Sequence, residues 1–290
     1  MLSTEQNPSN NPPHLIDVLP LLPFPNAKVI KLSPITSGHS NQNFQLQVGE
    51  EKYFLRLDAQ PSRIFSLNRR FEISVLQQMA LLGFAPSIHH HDLEQGILIT
   101  DFIQGRYLQK DDLQQQDICT QFQNFFKALR HLNTDNLTFT LDTTINHYFA
   151  QLDTKQTYFK QLLPFHEHYI DVISKLAQQP QFLQICHNDL NRENLLVTQD
   201  KRIMAIDWEY STVSHLQLEI AKLANVLDLD ESQIIQIIPK METAFTLEWQ
   251  QIRQLARYID TLWYALMAQI QCSHYWVNIF KHQLAQLIKN

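Results

Sequence analysis

All five glycines of this 290-residue chain stand at positions 38, 49, 83, 96 and 105, and from residue 106 to the C-terminus there is none. Tight turns in a small sheet draw on glycine because it reaches positive φ without steric cost. A long stretch without it favours helices. Nine of the twelve prolines also fall at or before Pro86, so composition changes along the chain near Gly105. This predicts an α+β chain: a small antiparallel sheet lobe with one helix over 27–105, then a larger, mainly helical lobe over 106–290. Residues 1–26, polar and proline-bearing at their start, predict a loosely ordered tail and lead-in.

Residues 186–211, CHNDLNRENLLVTQDKRIMAIDWEYS, carry the densest chemistry. Asp189 precedes Asn194 by five positions, and Asp207 follows an apolar run, 203–206, that reads as a short strand. Moving a γ-phosphoryl group from ATP to an alcohol needs in-line positioning and cations on the phosphate oxygens. Magnesium takes hard oxygen ligands and is held by one or two protein side chains plus the phosphates. Asn194 and Asp207 suit that task. Asp189 is then left to accept the hydroxyl proton as catalytic base, with His187 buttressing the loop.

The chain upstream supplies a nucleotide cradle in the order such chemistry needs. Ser37, Gly38, His39, Ser40, Asn41 and Asn43 belong to a polar turn between alternating stretches 27–32 and 44–48. Arg56 lies on the following strand, 53–57. Arginine can bridge a carboxylate and phosphate oxygens bidentately and stays charged at any working pH. Glu72, in the helical run NRRFEISVLQQMALLG that Gly83 ends, is its candidate partner. A second hairpin is read over 87–91 and 96–101.

HNDLNRENLL followed by AIDWEYS resembles the catalytic and metal-binding motifs of the choline/ethanolamine kinases, a branch of the aminoglycoside phosphotransferase and protein-kinase-like superfamily. Ordinary protein kinases fit less well, for they carry arginine at Asn188 and DFG where this chain has Asp207, Trp208 and Glu209. The resemblance implies a protein-kinase-like two-lobed fold and ATP with Mg2+ as cofactors. It also implies that the run 99–105, with Asp101, Phe102 and Ile103, is the connector whose backbone meets adenine. Choline kinases resemble this chain in using arginine at the place of Arg56. They build an aromatic cage for a quaternary ammonium from the C-terminal helices, which here offer Trp263, Tyr264, Tyr275 and Trp276. LWYALMAQIQ is similar to their LWxxW segment with Leu266 or Met267 in place of the second tryptophan, and Glu219 stands where relatives usually have aspartate. Glu209 is a candidate either for a cationic substrate or for a second magnesium.

Helical periodicity marks 114–132, 144–163 and 166–178 as scaffold, and 183–186 as the strand entering the catalytic loop. Ser214 and Gln217 fit a capping box ahead of the next helix. The net charge of −6 disfavours nucleic acid as a partner. No run of 18 apolar residues predicts a membrane span. Cys119, Cys186 and Cys272 lack metal-ligand spacing and suit a reducing cytoplasm. The expectation is thus a cytoplasmic enzyme that O-phosphorylates a small cationic alcohol, choline or ethanolamine first. Thiamine and an aminoglycoside are alternative acceptors, and a nucleotide-binding pseudokinase is the alternative class. The oligomeric state is not legible.

Overall fold

The computed structural model of the chain describes residues 22–24, 29–35, 41–59, 65, 67–132, 138–238 and 247–289. They cluster into two compact units, one built from residues up to 59 with Ser87–Ile103, the other from Phe65–Pro86 and Gln104 onward.

The first unit is an antiparallel sheet of β1 (Val29–Ile35), β2 (Asn41–Val48), β3 (Glu51–Asp58), β4 (Ile88–Asp92) and β5 (Ile97–Asp101), in the order β1-β2-β3-β5-β4. Alternation sets its buried face: Phe44 and Leu46 of β2, Leu55 of β3, and Ile97 and Ile99 of β5 pack together with Leu22. Arg56 points to the other face of β3, opposite Asn43 of β2 and Leu98 of β5. Gly96 turns the chain into β5 at φ 67°, and a Cβ there would meet the Asp58 Cβ at 2.9 Å, so the turn requires glycine.

The second unit begins with α1 (Arg69–Leu81), capped by the Asn68 side chain, which accepts from the Phe71 amide at 3.1 Å. Beyond Gln104 a three-stranded sheet forms from β6 (Gly105–Tyr107), β8 (Leu195–Thr198) and β9 (Ile203–Ala205), and β7 (Leu183–Cys186) pairs with β10 (Thr212–His215). The helices are α2 (Gln116–His131), α3 (Leu141–Ala150), α4 (Thr157–Ala177), α5 (Leu216–Leu227), α6 (Glu231–Ile237), α7 (Leu247–Gln271) and α8 (His274–Lys289). Among the described residues, no helix is long and apolar enough to cross a membrane.

Two expectations are corrected. The gap between the helical segments 144–163 and 166–178 is not there; the break lies at 151–156, and α4 runs on through Pro164. A short turn in which the Asp153 carboxylate accepts the Lys155 amide at 2.9 Å stops α3 before the proline is reached. The capping box at Ser214 and Gln217 is absent, because Ser214 pairs with Gln184 inside β10 and His215 becomes the residue before α5.

His215 is fully buried against Phe182, and among the described residues neither ring nitrogen has a hydrogen-bond partner. Burial holds its pKa down at about 4, against an ordinary 6.5. Between those values the unfolded chain takes up a proton that the folded chain refuses, so stability falls as pH drops from about 6.5 toward 4 and levels off below. His215→Leu should reduce that fall by about 1–3 kcal/mol, each pKa unit being worth about 1.4 kcal/mol. Urea unfolding at pH 7.5 and pH 5 measures this; an equal fall in both proteins would exclude His215 as its source.

Candidate active site

The loop leaving β7 is fixed by its backbone. His187 is fully buried; its amide donates to Glu219 Oε1 at 2.9 Å, and the Asn188 amide donates to Glu219 Oε2 at 2.8 Å. One carboxylate on α5 therefore takes two successive amides, as an anion does in a backbone nest. Asn188 turns at φ 63°, and its carbonyl accepts from Lys222 Nζ at 2.8 Å, one turn further along α5. Asparagine tolerates this left-handed conformation better than most residues. Burial pushes Glu219 up to about 7, while the Asn188 amide, Lys222 and the His187 amide pull the other way.

The His187 ring works as the buttress expected of it. Its Nε2–H donates to the Ile206 carbonyl at 2.9 Å and its Nδ1 accepts from the Asp189 amide at 3.3 Å. Burial keeps it neutral, with a pKa near 4, as this double role needs.

Asp189 is partly buried. Its Oδ1 accepts from Asn191 Nδ2 at 3.2 Å, and Asn194 Nδ2 donates both to its Oδ2 at 2.7 Å and to its carbonyl at 2.9 Å. Because both amide protons of Asn194 face Asp189, the Asn194 Oδ1 points the other way. Burial pushes Asp189 up to about 7, opposed by the charge of Lys222. The Asn194 carbonyl accepts from the Ile206 amide at 2.9 Å, and β8 pairs with β9, so the chain reaches Asp207 beside the Asn194 turn. Asp207 sits at φ 61° and ψ 64°, a conformation that costs about 1–2 kcal/mol in an ordinary residue. The three residues singled out by spacing thus share one loop system.

Glu209 is buried and paired. Arg69 Nη1 donates to Glu209 Oε2 and to Glu72 Oε2, each at 2.9 Å, tying α1 to the turn after Asp207. On the other side of the loop, Lys222 Nζ also lies 3.2 Å from Asp260 Oδ1 on α7. Burial opposes the charge of Lys222, but Asp260, Asp189 and Glu219 outweigh it and raise its pKa. Arg69, Lys222 and Asp260 were missed in the sequence. The spacing of Arg69 three residues before Glu72 was a signal; for Lys222 and Asp260 there was none.

Trp263 stacks on Phe65 at 5.5 Å between centroids and meets Tyr264 and Trp276 edge-on at 5.2 and 5.8 Å. Its indole Nε1–H donates to the Tyr210 hydroxyl at 2.8 Å. The cluster adjoins the acids: Glu209 and Asp189 act on the Tyr210 phenol, and Asp260 and Asp189 on that of Tyr264, adding to the effect of burial in raising both. Trp276 is buried, whereas Trp263 and Tyr264 keep part of their surface open. Phe65 is a further member that the sequence reading passed over.

Of the remaining expected residues, Ser37, Gly38, His39 and Ser40 lie outside the described residues. Asn41 and Asn43 open β2, and Arg56 is buried on β3 with its Nε 3.4 Å from Asp58 Oδ1. Asp101 ends β5, where its carboxylate accepts the Ser87 amide at 3.0 Å and meets His89 Nε2 at 2.6 Å. Phe102 and Ile103 follow in irregular chain.

The model of the phosphotransferase enzyme family matches residues 31–271 of this chain. Among curated proteins, Protein LicA of Haemophilus influenzae is 26% identical over 194 residues, covering 64% of this chain and 55% of that protein, so the chain spans about half the length of this relative. Among solved structures, a choline/ethanolamine kinase family protein from Mesorhizobium loti is 19% identical, with a TM-score of 0.71 over 94% of this chain and 92% of its own. The choline kinase LicA from Streptococcus pneumoniae is also 19% identical, with a TM-score of 0.66 over 95% and 97%. At such identity the likeness is one of fold. It is the protein-kinase-like α+β fold that the sequence predicts.

Removing the Glu219 carboxylate leaves two buried amides without acceptors. Hydrogen bonds to a charged group contribute about 1.5–3 kcal/mol each, so Glu219→Ala should lose about 3 kcal/mol or more. The His187 and Asn188 amides should exchange with deuterium at least about tenfold faster, and Glu219→Gln, which keeps one acceptor oxygen, should fall between. Wild-type exchange at both amides in Glu219→Ala would refute the anchor.

Proposed function

This chain belongs to the phosphotransferase enzyme family, and on that premise we propose that it moves the γ-phosphoryl group of ATP to the hydroxyl of a small cationic alcohol, choline or ethanolamine first. The observation that carries the reading is the setting of Asp189. Its carboxyl is oriented by Asn191 and Asn194, pushed up to about 7, and adjoins a cluster of aromatic rings.

A carboxylate poised near neutrality matches the requirement for a general base: it accepts the hydroxyl proton as the bond to phosphorus forms and holds it afterwards. Asn191 holds its Oδ1 and Asn194 its Oδ2, which fixes the orientation of the carboxylate. Asn194 Oδ1 and the Asp207 carboxylate are the candidate magnesium ligands, and the donor set fits, since both are hard oxygens and the Asn194 nitrogen is already committed to Asp189. Magnesium bound there would offset the negative charge of the phosphate oxygens. Arg56, buried on β3, is the candidate cation for the nucleotide phosphates. Asn41, Asn43 and the backbone of Asp101, Phe102 and Ile103 are the other candidate nucleotide contacts.

On the acceptor side the open parts of Trp263 and Tyr264 offer ring faces to a cation, each worth about 0.5–2 kcal/mol according to desolvation. Trp276 supports them from beneath. Glu209 acts indirectly, because Arg69 already neutralises it. M. loti and S. pneumoniae proteins of this fold are named as choline or choline/ethanolamine kinases, which agrees with a cationic alcohol.

Coupled ADP release with choline, ethanolamine, thiamine and an aminoglycoside tests the acceptor; turnover is expected with choline or ethanolamine and should vanish when EDTA removes magnesium. No release with any of the four sinks the substrate class. Asp189→Asn should lower kcat by about 10²–10⁴-fold while ATP affinity changes little. A near-normal kcat in that variant would rule out Asp189 as base.

A further inference from the structure

Two of the acids beside the ring cluster already have a cation of the chain next to them. Glu209 has Arg69 and Asp260 has Lys222. The second pair stands where the acceptor's charge is felt. Asp260 lies one turn before Trp263 and Tyr264 on α7, and it acts electrostatically on both Asp189 and the Tyr264 phenol. The Lys222 side chain is 13% exposed, with Nζ 2.8 Å from the Asn188 carbonyl and 3.2 Å from Asp260 Oδ1. A buried ammonium persists only where oxygens accept its protons and acids balance its charge, so this location is by construction a good ammonium site. It is also taken.

We propose that Lys222 is a resident counter-cation that restricts the acceptor to one positive charge, because it occupies the Asn188 carbonyl and the Asp260 carboxylate that a second substrate ammonium would need. The inference rests on the reading of the chain as a phosphotransferase of cationic alcohols and adds a specificity determinant to it. A singly charged alcohol uses the ring faces and presents its hydroxyl to Asp189. A doubly charged one brings its second ammonium against Lys222, which already holds the Asp260 carboxylate. Two like charges at close range in a partly desolvated site repel strongly, and discrimination of this kind works by building the repulsive element in.

The test compares choline with 1,3-diamino-2-propanol, a dicationic alcohol, at pH 7. In Lys222→Met the ratio of kcat/KM for the diamine to that for choline should rise tenfold or more. Lys222→Gln, which keeps a donor for the Asn188 carbonyl and loses the charge, should do the same and guards against a folding defect in the first variant. Asp260→Asn, which keeps the cation and removes its carboxylate, should move the ratio the other way. Adding Asp260→Asn to Lys222→Met should cancel the gain. A ratio within twofold of wild type in both Lys222 variants overturns the proposal, as does loss of the two alcohols in equal proportion. Binding of each alcohol, followed by tryptophan fluorescence, separates this from failure of the functional reading. If wild type releases ADP with none of choline, ethanolamine, thiamine and the aminoglycoside, the functional reading fails. Diamine affinity then decides for Lys222: a tenfold gain in the variants upholds it and an unchanged affinity overturns it.

Discussion

The site depends on one buried carboxylate. Glu219 accepts the amides of His187 and Asn188, and those two residues set where Asp189 emerges from β7. Amides buried without acceptors cost about 1–3 kcal/mol each, so the loop has a strong preference for the one conformation in which Glu219 reaches both. The helix that carries Glu219 therefore determines the direction of a side chain 30 residues earlier in the sequence. Lys222 completes the arrangement from the same helix face by taking the Asn188 carbonyl. The backbone amide and carbonyl of a left-handed residue are thereby satisfied from a single element.

Charge in this unit is organised as pairs rather than as an open acidic patch. Arg69 bridges Glu72 and Glu209, and Lys222 meets Asp260. Asp260 and Glu209 still raise the proton affinity of Asp189 from within their pairs, and the charge of Lys222 opposes them. Pairing also links elements: Arg69 joins α1 to the turn after Asp207, and Lys222 joins the loop after β7 to the helix that carries Trp263 and Tyr264. The aromatic rings take their places by packing and by the Trp263–Tyr210 hydrogen bond, so the ring cluster and the loop share one framework.

Much of the second unit's candidate site was legible because it is local. Asp189, Asn194 and Asp207 lie within 19 positions of one another, and a loop with two short strands needs no distant partner to bring them together. His187 was readable as a buttress for the same reason. The capping box at Ser214 and Gln217 failed because strand pairing with Gln184 claimed Ser214. The gap expected between 163 and 166 failed because the chain turns at 151–156, where the Asp153 carboxylate accepts the Lys155 amide. In both cases a local signal was outweighed by a neighbour the pattern does not show.

The sequence by itself determined the class of fold, through the partition of glycine and proline, and it singled out the candidate residues for the chemistry, through spacing within one loop. Tertiary structure alone decided which charges are neutralised and which remain to act. Lys222 and Asp260 are 38 positions apart, and Arg69 and Glu209 are 140 apart. Neither pair leaves a mark in periodicity or composition. An ion pair across such separations exists only after the helices have packed, since the attraction between two charges decays within a few ångströms in water and becomes specific only where burial removes the solvent between them.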